Sequence, residues 1–255
     1  MLTGIDHVIL AVRDPDGAAQ ALEDELGLRS GPGGRHAAHG THNRLCWLGD
    51  SYLELMGVFD AAIASASWWG AYVSRLLDER GEGYAGVVLA SDDLAADASR
   101  LAGAGSALGE PQPGERARPD GDVVRWRAAL PARPDPDLGL AFLIEHEQTA
   151  AEWRPADRLA RATQLHPLGT TVALRRLELP VADVRSATMR IHRDLGVAFR
   201  PSLGGGGARD GAVGRQTLRL LRATEERPLV VLEGGSRPVE ARLLGCAWQL
   251  VPRTA

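Results

Sequence analysis

The strongest constraint on the fold is a segment that recurs three times along the 255-residue chain. Each copy has a short apolar run, an aspartate, apolar residues at helical spacing and then a glycine. The aspartate precedes the glycine by 13 residues in all three pairs: Asp14 and Gly27, Asp92 and Gly105, Asp183 and Gly196. Aspartate is a favoured helix N-cap, and glycine is favoured in the left-handed position that ends a helix. Three such segments in register predict a duplicated strand–helix unit.

Each helical segment is followed by further runs that are typical of β-strands. In the first unit these are 43–48 and 52–58, and the Gly49-Asp50-Ser51 sequence between them predicts a hairpin turn. The runs of the other units lie at 123–130, 140–146, 216–222, 229–233 and 239–250. Each unit is therefore a strand, a helix and two or three further strands. Because a helix covers only one face of so small a sheet, the other face must meet another unit or form a cleft.

The repeat divides the chain into three modules and two connectors. We predict a first βαβββ module at 1–59, a helical connector at 60–83 and a second module at 84–148, which pairs with the first. A linker at 149–171 leads to a third, divergent module at 172–255. An unpaired third module would expose a sheet face, which is one argument for a homodimer.

Composition excludes several classes of function. The net charge of −4 and the pI near 6 lack the basic character of a nucleic-acid-binding protein. No apolar stretch reaches the ~20 residues that a membrane helix needs, so no membrane partner is expected. The N-terminus lacks a basic region and a cleavage site, and the two cysteines, Cys46 and Cys246, form no CxxC pair. We therefore expect a soluble cytoplasmic protein with two reduced, buried thiols.

Nucleotide-binding motifs are missing as well. The four glycines at 204–207 are not followed by the Lys-Ser or Lys-Thr that opens the helix of a phosphate loop. No dinucleotide fingerprint follows a strand, and no Gly-x-Ser-x-Gly occurs. No nucleotide cofactor is therefore expected.

Four stretches together resemble a known family. They are GIDHVILAV at 4–12, GTHNRL at 40–45, LGDSYLEL at 48–55 and FLIEH at 142–146. In combination they are similar to the glyoxalase-like domain of the vicinal oxygen chelate superfamily, over roughly residues 1–180. The resemblance implies an α+β fold of repeated βαβββ modules whose curved mixed sheet surrounds a cleft, with the helices on the outer face. It also implies a small-molecule ligand or substrate in that cleft.

Many members of this family bind a divalent metal through a His or Glu on the first strand of a module and a Glu on its last strand. In this sequence the resemblance gives His7 and Glu54 in the first module and Glu145 in the second. Strand alternation directs His7 and Glu54 towards the cleft. Counting seven residues back from the other two capping aspartates gives Ala85 and Arg176, which do not bind metals. A fourth ligand is therefore missing.

Other residues near these positions are candidates for contacts with the ligand. His42, Asn43 and Arg44 follow the first helix, and Tyr52 shares the face of Glu54. Glu54 is also the candidate catalytic carboxylate. The alternative is that His7 and Glu54 form a hydrogen-bonded structural pair without a metal.

Two functions remain open at this point. One is an enzyme in which a divalent metal polarises vicinal oxygens of a small substrate, giving lyase, isomerase or dioxygenase chemistry. The other is a metal-free protein that binds and sequesters a small, antibiotic-like compound without catalysis.

Overall fold

The structure is a computed structural model that describes residues 1–223 and 227–253. The first module comprises strand β1 (Leu2–Ala11), helix α1 (Pro15–Leu26), and strands β2 (Gly31–His36), β3 (Thr41–Leu48) and β4 (Ser51–Val58). Helices α2 (Ala61–Ala66) and α3 (Trp68–Arg80) form the connector. The second module comprises β5 (Gly83–Ser91), α4 (Leu94–Gly103), β6 (Gln112–Ala117), β7 (Val123–Ala129) and β8 (Leu140–His146), and helix α5 (Pro155–Ala162) lies in the linker.

The strands of these two modules close into an eight-stranded barrel. Their order is β1-β4-β3-β2-β6-β7-β8-β5. β1 runs antiparallel to β5, whereas each module pairs its first and last strands in parallel. The closing contact between β2 and β6 is short, with the single pair Arg35 and Ala117. The predicted α+β architecture of curved sheet, enclosed cleft and outer helices is confirmed.

Strand alternation separates the inside of the barrel from its outside. On β1, Val8 and Leu10 pack with α1 and α4 in the outer core, and Ile9 packs inside with Met56 and Phe142. The predicted orientation of this strand is thus correct. Each apolar side chain of the outer core contributes about 1.5–3 kcal/mol by leaving water.

Capping residues account for the repeat in its first and third copies, whereas in the second copy α4 ends at Gly103, before the predicted Gly105. Asp14 caps α1 and Asp183 caps α6 (Val184–Leu195), and Gly27 and Gly196 end these helices in left-handed conformations. In the second module the cap is Asp93, not the predicted Asp92, because the Asp93 side chain accepts from Ala96 N. Counting seven residues back from Asp93 gives Gly86, which is no more able to bind a metal than Ala85.

The C-terminal part of the chain forms a second, open sheet. Its strands are β9 (Ala173–Val181), β10 (Phe199–Pro201), β11 (Arg209–Val213), β12 (Gln216–Arg222), β13 (Leu229–Glu233), β14 (Val239–Leu243) and β15 (Cys246–Val251). Their order is β10-β11-β12-β9-β13-β15-β14. If the barrel is opened between β2 and β6, its strand order becomes β2-β3-β4-β1-β5-β8-β7-β6. The second sheet has the same order but lacks a counterpart of β6. The expected third module therefore corresponds to β9–β12 with α6, and β13–β15 resemble a fourth module that lacks its helix.

One face of the second sheet packs against the outside of the barrel. Leu177, Leu218, Trp248 and Leu250 belong to the same core cluster as Leu22 of α1. Helices α1 and α4 therefore lie between the two sheets, and the two sheets share one apolar core. Both cysteines are buried and free, as expected.

Two strands of the barrel were not predicted. Sequence patterns assigned no strand to 31–40, which is rich in glycine, or to 112–117. These segments form β2 and β6, because backbone pairing with neighbouring strands overrides a low intrinsic strand propensity. None of the helices in the two described ranges is long and apolar enough to cross a membrane.

Candidate functional site

A small polar cavity of about 20 Å³ lies inside the barrel. It has room for one or two atoms of the size of a water oxygen. Side chains from both modules and from the linker line it: His7, His36, Asn43, Tyr52, Glu54, Trp69, Arg116, Val124, Trp126, Phe142, Ile144, His146, Glu152 and Trp153. So many buried polar groups at one point need partners, and their pairing defines the chemistry of the site.

Asp6 is at the centre of the polar network. A β-bulge makes it an extra residue on β1, since Ile5 pairs with Leu89 and His7 with Val88. The bulge directs both Asp6 and His7 into the barrel. Asp6 Oδ1 lies 2.6 Å from His7 Nδ1 and 3.2 Å from His146 Nε2, and the residue is only 2% exposed.

The protonation of this group follows from its surroundings. Burial alone would raise the pKa of Asp6, but attraction to His146 and hydrogen bonds from both imidazoles hold it well below its usual range. Burial lowers the pKa of His146, although Asp6 opposes the shift. Asp6 is therefore a carboxylate, and His146 is neutral at neutral pH with its proton on Nε2. Nδ1 of His146 is then an unprotonated acceptor.

The Glu54 carboxylate faces donors from three strands. Its Oε2 lies 3.4 Å from His7 Nε2, its Oε1 lies 3.8 Å from His36 Nε2, and Asn43 Nδ2 donates to Oε1. His7 therefore lies between two carboxylates, with Nδ1 close to Asp6 and Nε2 close to Glu54.

His36 is held as a neutral imidazole. Burial, followed by the charge of Arg116, lowers its pKa to about 3. Its Nδ1 lies 3.2 Å from Thr41 Oγ1. The ring is therefore available as a neutral group beside Glu54 over the whole physiological pH range.

The linker after β8 closes one end of the site. The Trp153 ring stacks on His146 at 3.7 Å between centroids, and Tyr52 stacks on His7 at 4.5 Å. Glu152 accepts a hydrogen bond of 2.6 Å from Arg116 of β6. Each imidazole beside Asp6 is thus fixed by an aromatic ring.

A groove of about 960 Å³ adjoins the cavity. It shares four lining residues with the cavity: His36, Trp69, Trp126 and His146. Three arginines, Arg35, Arg125 and Arg127, also line it. This volume lies at the upper end of the range of small-molecule pockets, whereas the cavity itself takes only a terminal group of a ligand.

Comparison with known proteins identifies the family. The family model described as a glyoxalase-like domain matches residues 5–195. The chain belongs to the glyoxalase-like domain family. This family lies in the vicinal oxygen chelate superfamily, as the sequence motifs predicted.

Two solved structures share the fold of this chain. A hypothetical protein from Staphylococcus aureus has a TM-score of 0.80 at 15% identity, covering 99% of this chain and 100% of that one. A mutant of 4-hydroxymandelate synthase from Streptomyces coelicolor has a TM-score of 0.58 at 15% identity, covering 92% and 72%. Methylmalonyl-CoA epimerase from the same organism covers 57% of this chain and 98% of its own, at 21% identity and a TM-score of 0.43. No curated protein matches the sequence.

The structure brings together four of the residues predicted for the site of this glyoxalase-like chain. His7, Glu54, Asn43 and Tyr52 all line the cavity. Arg44 and His42 lie on the outer face of β3, where Arg44 pairs with Asp16 of α1 at 3.1 Å. Of these three residues of β3, alternation turns only Asn43 inward. The roles assigned to these residues stay predictions.

Glu145 does not reach the cavity. It lies on the outer face of β8 with Ala141 and Leu143, and its Oε2 accepts from Leu94 N at the start of α4. Glu145 does line the adjoining groove, but it is not the residue of β8 that corresponds to Glu54. In the parallel pairs Ile9 aligns with Glu54 and Val88 with Phe142, so Phe142 is the structural counterpart of Glu54.

The donors do not fit the four-ligand metal site of many superfamily members. The counterparts of His7 and Glu54 in the second module, Gly86 and Phe142, have no donor atoms. Within 1–223 and 227–253, no three His, Cys, Asp or Glu side chains are grouped as a metal site requires. The same cavity also holds the guanidinium of Arg116, whose positive charge opposes a second cation.

Several residues of the site were missed by sequence reasoning. Asp6 was overlooked because neighbours on a regular strand face opposite sides, and only the bulge brings it beside His7. Arg116 and Glu152 lie in segments without apolar periodicity. His146 was not selected, although it directly follows Glu145 on β8. A signal for it was available, because alternation from the apolar Phe142 and Ile144 leads to His146.

Proposed function

We propose that this chain is an enzyme that moves a proton on a small organic molecule, in an isomerase or lyase type of reaction, with His146 as the general base. The observation that carries the proposal is the state of that imidazole. Its Nε2 is oriented by the Asp6 carboxylate, and its Nδ1 has no partner among the described residues, although it is buried at the cavity. A carboxylate that fixes the tautomer and leaves the second nitrogen free is the arrangement of a catalytic Asp–His pair.

The remaining residues supply what such a reaction needs. The substrate lies in the groove and extends its reacting carbon and an adjacent oxygen past Trp126 towards His146. His146 Nδ1 takes the proton from this carbon. Glu54 lines the same cavity, with its Oε2 3.4 Å from His7 Nε2, and we assign it the catalytic role of returning a proton to the product. General acid–base catalysis of this kind contributes roughly 10²–10⁴-fold in rate.

Exchange of carbon-bound hydrogen with solvent tests the proposal without knowledge of the natural substrate. The chain is incubated in D₂O with a panel of α-hydroxyketones and 2-oxo acids, and deuterium incorporation is followed by NMR. We expect exchange in at least one compound, and a loss of about 10²–10⁴-fold in the His146→Gln and Asp6→Asn variants.

The matched control is His192→Gln, an exposed histidine on α6. It should leave exchange unchanged. Exchange that persists in His146→Gln at the wild-type rate would refute the role of this residue. Absence of exchange across the panel would count against the proposed reaction.

A second candidate is metal-free binding of an aromatic compound without catalysis. The observation that favours it is the aromatic lining shared by cavity and groove, where Trp69 and Trp126 contribute to both. Quenching of tryptophan fluorescence by aromatic compounds would measure binding. Tight binding that is retained in His146→Gln, together with no exchange in the wild type, would support this alternative. The predicted homodimer and cytoplasmic location stay predictions, which size-exclusion chromatography and cell fractionation would test.

A further inference from the structure

Two buried polar atoms of the cavity lack a hydrogen-bond partner among the residues that the structure describes. They are Arg116 Nη1 and His146 Nδ1. Arg116 is only 4% exposed and His146 8%. An unpaired charged donor in the interior is costly, so a group that approaches it is strongly favoured.

The Arg116 side chain is held in place at its other nitrogen. Nη2 donates to Glu152 Oε2 at 2.6 Å, and Glu152 Oε1 lies 3.6 Å from Arg118 Nη1. Glu152 adopts a left-handed backbone with φ 68°, which is uncommon for a residue with a side chain. This unfavourable backbone conformation places the Glu152 carboxylate beside Arg116 Nη2. Arg116 Nη1 remains without a partner among the described residues and lies at the cavity.

The two free atoms differ in what they bind. Arg116 Nη1 only donates hydrogen bonds and carries positive charge, whereas neutral His146 accepts at Nδ1. The cavity of about 20 Å³ admits one or two oxygen-sized atoms. The best occupant is therefore a small oxygen group that is negatively charged, or becomes so, beside a hydrogen that His146 can take.

We propose that Arg116 forms an oxyanion subsite, in which Nη1 binds one oxygen of a carboxylate or of a carbonyl that becomes an enolate. The catalytic part of this role rests on the proposed function. When a C–H bond breaks, its proton moves to His146 Nδ1, its electron pair forms the C=C bond, and the carbonyl electrons move onto oxygen. Arg116 stabilises that negative oxygen. The Arg116 guanidinium thereby supplies a positive charge at a site where many members of the family hold a metal. This chain retains two of the four ligand positions, His7 and Glu54.

Sodium formate is a suitable probe, because it carries one carboxylate and is small enough for the cavity. Binding is followed through the NMR chemical shifts of the His146 imidazole, which faces the same space. We expect saturable binding to the wild type and an affinity at least about tenfold lower in Arg116→Gln, since one charge-assisted hydrogen bond is lost. Arg116→Lys should bind with intermediate affinity, because one ammonium cannot contact Glu152 and the ligand with the geometry of a guanidinium.

Matched controls separate the subsite from nearby cations. Arg118→Gln removes the second arginine at Glu152, and Arg154→Gln removes an exposed arginine of the linker; neither should change formate affinity. Circular dichroism checks folding, and if Arg116→Gln does not fold, Arg116→Lys and Glu152→Gln carry the test. Wild-type protein that binds no formate, or folded Arg116 variants that bind it with wild-type affinity, would overturn the subsite.

The two proposals fail in different ways. If formate binding depends on Arg116 but no compound exchanges hydrogen, the subsite stands and the proposed reaction falls. If exchange depends on His146 but formate binding is indifferent to Arg116, the reaction stands and the subsite falls.

Discussion

Replacement of His36 by glutamine should remove a large part of the acid sensitivity of folding. His36 is buried beside Glu54, Thr41 and Arg116, and its pKa falls from 6.5 to about 3 on folding. The unfolded chain therefore binds one more proton than the folded chain between these two values. Because the unfolded state gains that proton, the free energy of unfolding decreases as the pH falls from about 6.5 towards about 3.

The magnitude follows from the size of the shift. Each pH unit between the two pKa values removes about 1.4 kcal/mol from the free energy of unfolding. Between pH 7 and pH 5 the His36 contribution amounts to about 2 kcal/mol, since little of the loss occurs above pH 6.5. Glutamine does not titrate and retains an amide that can pair with Thr41 and Glu54.

Urea denaturation at pH 7, 6 and 5 measures this effect in both proteins. We expect the wild type to lose about 2 kcal/mol more than His36→Gln between pH 7 and pH 5, whatever the difference at pH 7. The difference between the two proteins removes the contribution of the other histidines to the pH dependence. Burial also lowers the pKa values of these residues, which are His39, His42, His146 and His166. Equal pH dependence in the two proteins would refute the reasoning.

Three further predictions concern other parts of the chain. Glu145→Gln should lower the free energy of unfolding by about 0.5–2 kcal/mol, because its contact with Leu94 N is weakened. Formate binding should be unchanged, and loss of that binding would show that Glu145 contributes to the site. Burial raises the pKa of Cys46 and of Cys246 to about 12, so neither thiol should react with Ellman's reagent at pH 8 until guanidinium unfolds the chain. Trp248→Ala should lower the free energy of unfolding by about 3–5 kcal/mol, measured by urea denaturation, since its ring fills the shared core of the two sheets; a loss below 1 kcal/mol would contradict this packing.

Sequence patterns with a short range were good guides to the barrel. The caps Asp14 and Asp183 and the glycines that end their helices follow from local hydrogen bonding and backbone freedom, which a sequence displays directly. Alternation on β1 and β4 correctly predicted that His7 and Glu54 face one cavity, because the period of two is a property of the strand itself.

Errors began where a pattern had to be counted across modules. The predicted cap of α4 was one residue too early, at Asp92 rather than Asp93. Glu145 was aligned with Glu54 in place of Phe142. Both errors came from comparing segments whose lengths differ slightly. Strands β2 and β6 were missed because glycine and proline dominate β2, polar residues are frequent in β6, and neither strand shows apolar alternation.

The sequence by itself determined the module, the boundaries of α1 and α6, and the half of the site that His7 and Glu54 provide. Only the tertiary structure decided the other half. The bulge that turns Asp6 inward, the closure that brings Arg116 to the cavity and the linker turn that sets Glu152 against it all depend on contacts between segments far apart in the chain. Such contacts leave no local periodicity, because their energy is gained only when the barrel closes.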